Sequence, residues 1–259
     1  VVRSQGGAIV NTSDDGHSIA DLVVWWLCLV AAPLVLVAIE LFHPAGFTQT
    51  PGMWAYLSEP QPHQEAHRAL AYAGPRWWFT LHMIQTPMVG LVAVGLWRMV
   101  SDIGSDDGAA VAVLAWLSRI ATFVMLIYFT VLDAIGGIGL GRSILQAQAL
   151  AASGALSQDQ LAGVITLLDT MWVDRWVGGV GSYVSLTASW AAFFAALLTA
   201  LTLFIGRRAP AVPLLLLVAF GWEVQLSHAA LHGPTGFGLL AVASVWIWFR
   251  RGQPAPRFA

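Results

Sequence analysis

Six long apolar stretches, near 21–42, 77–98, 109–139, 177–205, 210–232 and 236–249, hold few charged residues. A helix needs about 20 apolar residues to cross about 30 Å of hydrocarbon. In lipid the backbone must satisfy its own hydrogen bonds, which favours helices. Only 10% of the 259 residues are charged, against about 25% in soluble chains. The expected fold is all-α, a polytopic membrane helical bundle of about six transmembrane helices. A single transmembrane domain is expected over 21–251, with tails at 1–20 and 252–259.

Alternating spans put both termini on one side. That side collects Arg3, Arg98, Arg207, Arg208, Arg250, Arg251 and Arg257, while the opposite loops hold Arg68, Arg76, Arg142 and Arg175. Arginine bias in the loops close to the spans marks the cytoplasmic face, so both tails are expected in the cytoplasm and the domain in the plasma (inner) membrane. The first apolar run has no small-residue cleavage site before His43, which favours a spanning helix over a removed signal peptide. A net charge of −2 offers nucleic acid no electrostatic attraction. The lone Cys28 cannot form an intrachain disulfide. There is no lysine to form a Schiff base with retinal, and no Gly-x-x-x-x-Gly-Lys to cradle phosphate.

Local signals divide the spans. Pro33 predicts a mild kink in the first, and Pro44 with Gly46 predicts its end. The outer loop, 43–76, is rich in proline and carries His63, Glu65, His67 and Arg68. Trp77 and Trp78 mark an interface. Gly136, Gly137, Gly139 and Gly141 predict a smooth end to the third span, and Gly137-x-x-x-Gly141 fits close helix approach. Between spans three and four, 142–175 is expected as outer interfacial helices, an amphipathic hairpin or a lid. Ser157-x-x-Gln160 is a capping box, and Leu161, Ile165, Leu168 and Trp172 form its apolar stripe.

The chain's polar chemistry gathers at the outer ends of the spans. Glu40 and His43 close the first, His82 opens the second, Asp133 lies late in the third, and Glu223, His228 and His232 lie late in the fifth. Ionisable groups at that depth are costly and suggest function. Spacing of four predicts that His228 and His232 share a helix face, and spacing of three does the same for Glu40 and His43. The imidazoles of His82, His228 and His232, with Glu40 and His43 close by, are candidate ligands for a transition metal ion: zinc, copper or iron. Three protein ligands leave a catalytic zinc one position for water, and Asp133 or Glu223 is the candidate proton acceptor.

The His-x-x-x-His of 228–232, with the distant His82, resembles the membrane hydrolases related to alkaline ceramidases and adiponectin receptors. That resemblance implies metal-dependent hydrolysis, yet the family's Ser, and its Asp soon after the first His, have no counterpart here. For an enzyme of this kind the expected substrate is lipid-like and enters from the outer leaflet beneath the hairpin from Arg142 to Arg175. An alternative is haem b in electron transfer, with His82 and His228 as axial ligands and Arg76, Arg142 or Arg175 on the propionates. A further alternative is a non-catalytic subunit whose polar groups meet other subunits of a membrane complex.

Overall fold

The computed structural model describes residues 18–44, 52–58, 74–179, 181–229 and 231–250, and these are helical with no strand among them. The tails, most of the 43–76 loop, and with it His63 and His67, lie outside the described residues.

Helix α1 (Ile19–Glu40) starts at Ser18, whose hydroxyl accepts from the Asp21 amide at 3.1 Å. Residues Leu27–Ala31 widen into a π-turn in which the Ala32 amide donates to Leu27. Pro33 supplies the reason: its ring clashes with the carbonyl four residues back and it has no N–H to donate. One wide turn absorbs both defects, where sequence alone predicted a kink.

A short helix α2 (Met53–Ser58) precedes α3 (Pro75–Met99), which has proline in its first turn, where a missing N–H costs nothing. Helix α4 is 44 residues long, Ala109–Ala152. The expected end of the third span at its glycines is therefore overturned. Asp133–Gly139 forms a second π segment, with the Leu140 amide reaching Ile135, and α-helix then resumes. The glycines serve close approach instead of termination. A Cβ on Gly137 would lie 2.2 Å from the His82 ring, one on Gly141 3.0 Å from the Phe79 amide, and one on Gly139 2.8 Å from the Ala134 carbonyl.

Helix α5 (Gln158–Trp172) begins with the expected capping box, Ser157 and Gln160 each bonding the other's backbone amide. Helices α6 (Tyr183–Ile205), α7 (Ala211–Leu226) and α8 (His232–Arg250) complete the bundle. The expected continuation of the fifth span to His232 fails: Ser227 is extended, with φ −168° and ψ 143°, and α8 starts five residues later.

Helices α1, α3, α4 and α6 are long and apolar enough to cross a membrane; α7 is apolar and shorter, at 16 residues. Contacts between their ends set the directions. Trp25 and Trp26, early in α1, meet Trp248 and Phe249, late in α8, at ring separations of 5.5 and 6.4 Å. Ser118 and Thr199 share a buried hydrogen bond of 2.7 Å between α4 and α6. At this end of the bundle Arg98 pairs with Asp21 at 2.6 Å, and Arg208 pairs with Asp107, holding that half-buried carboxyl below the usual carboxylate range. Buried Arg119 bonds the carbonyls of Val100 and Ile103 just past α3, complementing the negative end of that helix.

The opposite end carries a second apolar cluster. Tyr56, Leu57, Trp78, Ile144, Leu168 and Trp172 join α2 and α5 to α3 and the last turns of α4. Asp169 ties this cap down by accepting from the Trp54 amide at 2.8 Å, and Gln148 donates to Ser58 at 3.1 Å.

Candidate functional site

Three imidazoles meet beneath the cap. His43 lies just past α1, His82 two turns into α3, and His228 in the break after α7. The His43 ring centroid is 5.4 Å from that of His82 and 5.3 Å from that of His228. Local structure delivers each one. The end of α1 releases the chain so that His43 Nδ1–H donates to the Pro44 carbonyl at 2.7 Å. Within α3, His82 Nδ1–H donates to the Trp78 carbonyl at 2.7 Å. The extended Ser227 swings His228 inward, edge-on to Phe129 at 6.0 Å.

The two backbone bonds fix a tautomer. With Nδ1 donating, Nε2 carries the lone pair, and His43 Nε2 is buried with no partner among the described residues. Such a backbone bond is the usual support of a metal-bound imidazole. No group of three or more His, Cys, Asp or Glu side chains among the described residues already stands ready to hold a metal ion.

A cavity of about 200 Å³ lies against the imidazoles, walled by Tyr56, Trp78, Leu132 and Trp172 and edged by Ser185 and Ser227. Trp78 is its keystone: the indole donates to the Gly136 carbonyl at 2.9 Å and its ring contacts His43, His82 and Trp172 at 5.2, 4.6 and 5.7 Å. Gly137 admits the His82 ring to the π segment.

The remaining expected site residues fall into three groups. Glu40 and Asp133 are fully buried but do not line the cavity. Asp133 accepts from Thr86 at 3.0 Å; its other oxygen, both oxygens of Glu40 and the amide of Gln85 have no partner among the described residues. His232 and Glu223 form a separate pair: His232 Nδ1–H donates to Glu223 at 2.7 Å, and the His232 side chain is 48% exposed. The helix break removes His232 from the face it was expected to share with His228. Arg76, Arg142 and Arg175 are exposed and none lines the cavity; Arg175 lies over the Tyr183 ring at 4.8 Å.

Sequence reasoning missed Trp78, Gln85 and Thr86. The one available signal was spacing, since Trp78, His82, Gln85 and Thr86 recur at three and four along one helix. Comparison with family models, with curated proteins and with solved structures gives no match to this chain.

Proposed function

We propose that this chain is a six-span integral membrane protein that holds a transition metal ion on His43, His82 and His228. One observation carries the reading: of three clustered imidazoles, the two buried ones are held by backbone carbonyls in the tautomer that keeps Nε2 free. His43 takes the place that sequence gave to His232. Closing the site takes a turn of the His228 ring, whose side chain makes no hydrogen bond among the described residues.

Three neutral imidazoles suit zinc, copper or iron. On zinc they leave a fourth position for water, whose pKa falls to about 7. The aromatic cavity wall favours an apolar, lipid-like substrate. Asp133, one residue past the cavity wall at Leu132, is the nearest unpaired carboxyl oxygen in sequence to that wall and is the proposed proton acceptor. Glu223, already held by His232, has no part in this reading.

Elemental analysis of the purified protein tests it. One metal ion per chain is expected, lost in His43→Ala, His82→Ala and His228→Ala and kept in His232→Ala. Wild-type protein without metal, or metal kept in all three of the first variants, overturns it. A Soret band would transfer the site to haem.

A further inference from the structure

Beyond its first turn, helix α5 shows no charge to its surroundings. Its outward residues from 162 onward are Ala162, Gly163, Thr166, Leu167, Thr170 and Met171, all exposed; Leu167 is 59% and Met171 43% exposed. The one carboxylate in this stretch, Asp169, is turned inward onto the Trp54 amide. Both threonines turn their hydroxyls back onto the helix, Thr166 to Ala162 at 2.9 Å and Thr170 to Thr166 at 2.7 Å. The inner face, with Leu168 and Trp172, is packed in the cap. A helix apolar on both faces belongs in a protein core or in lipid, not in water.

What covers the outer face follows from its continuation. After α5 the exposed apolar surface runs through Val173 to Trp176, which is 68% exposed. Trp176 contacts Tyr183 at 5.0 Å, and its carbonyl accepts from the Val184 amide at 3.2 Å. From Tyr183 the same surface descends the flank of α6 through Leu186, Trp190 and Phe194, a helix apolar and long enough to cross a membrane. Arg175 over Tyr183 sets a cation beside an aromatic ring, the pairing of the headgroup level. Fifteen residues rise about 22 Å, too short to cross about 30 Å of hydrocarbon.

We infer that acyl chains of the leaflet on the imidazole side cover this face, so that α5 is a half-embedded helix and not a surface hairpin with a wet side. From Ala162 to Met171 the charged outer face that a water-exposed amphipathic helix carries is missing. The inference goes beyond metal binding and does not depend on it.

The test uses full-length protein with Cys28→Ser, in phosphatidylcholine nanodiscs, carrying a nitroxide at Leu167→Cys, Met171→Cys or, as reference, Asp159→Cys. Collisions with oxygen report lipid and collisions with a water-soluble nickel chelate report water. The 167 and 171 labels are expected to favour oxygen, and the 159 label nickel. Nickel access at 167 and 171 overturns the inference in favour of water; access to neither reagent overturns it in favour of a protein partner. As a check without labels, brominated lipid should quench less of the tryptophan emission in Trp176→Phe than in wild type. Equal quenching also counts against lipid cover. Metal content of the same samples separates failure here from failure of the metal reading.

Discussion

Gly137 shows how far one residue controls the site. Its missing side chain is the space that the His82 ring occupies, and a Cβ there would meet Cγ of that ring at 2.2 Å. The ring cannot simply swing away, because its Nδ1–H is held by the Trp78 carbonyl and its face by Trp78 itself. Gly137→Ala should therefore cost about 1–3 kcal/mol, as overpacking of a filled core does, and should also displace an imidazole of the proposed site. Thermal unfolding in detergent, read beside metal content, checks this. Loss of both is expected; an unchanged midpoint would mean that the helices separate freely at this level. Glu40, Gln85 and Asp133 pose the opposite problem, buried polar atoms with too few partners. Such groups are expensive, and their place one layer behind the imidazoles marks that layer as the costly part of the bundle.

The two π segments explain where elements differ from what sequence predicts. The hydropathy of α4 was plain in the residues, but its glycine stretch reads as a stop, since glycine is poor in a helix interior. Its actual use depends on α3, which packs against it and is remote in sequence. The same holds for Leu226 to His232. Apolar periodicity continues there, and only the extended Ser227 separates two histidines that spacing puts together. His43, by contrast, was legible as a residue near the ends of the other spans, because alternation of helices alone brings those ends to one level. Gly139 lets the element be tested with a reversed sign. Glycine to alanine in a helix normally stabilises by about 0.5–1 kcal/mol, and Gly163→Ala, with open space around its Cβ, should follow that rule. Gly139→Ala should destabilise instead, because its Cβ would lie 2.8 Å from the Ala134 carbonyl that the π geometry brings forward. Paired unfolding midpoints that move in opposite directions are the expected result; a gain in both would mean the segment rewinds to α-helix without penalty.

At the scale of the whole molecule, charge and chemistry divide between two ends. One end carries Asp21 with Arg98, and Asp107 with Arg208; the other carries the imidazoles under their aromatic cap. Among the described residues four helices are long and apolar enough to cross, and an even number of crossings, four or six, puts both termini on one side. At about 1.5 Å per residue, α8 rises about 28 Å, close to about 30 Å of hydrocarbon, and α7 about 24 Å, which needs its flanking residues to cross. Both pack against full-length neighbours: Gly221 of α7 against Ala196 and Phe193 of α6, and the end of α8 against the start of α1. A helix bound along a spanning partner shares its depth, which supports the proposed six crossings, with the arginine-rich end expected in the cytoplasm. Single cysteines in a Cys28→Ser background decide it, using a membrane-impermeant maleimide on intact cells. Ala155→Cys, in the turn between α4 and α5, should label from outside. Ser105→Cys and Arg250→Cys should label only after the membrane is opened. Outside labelling at Arg250 alone would leave an odd number of crossings. Only one of α7 and α8 would then cross. A re-entrant α7–α8 pair leaves Arg250 inside, as six crossings do, so Leu231→Cys, between the two helices, separates those cases. Outside labelling there means that both cross, and its absence in intact cells means that the pair turns back within the membrane.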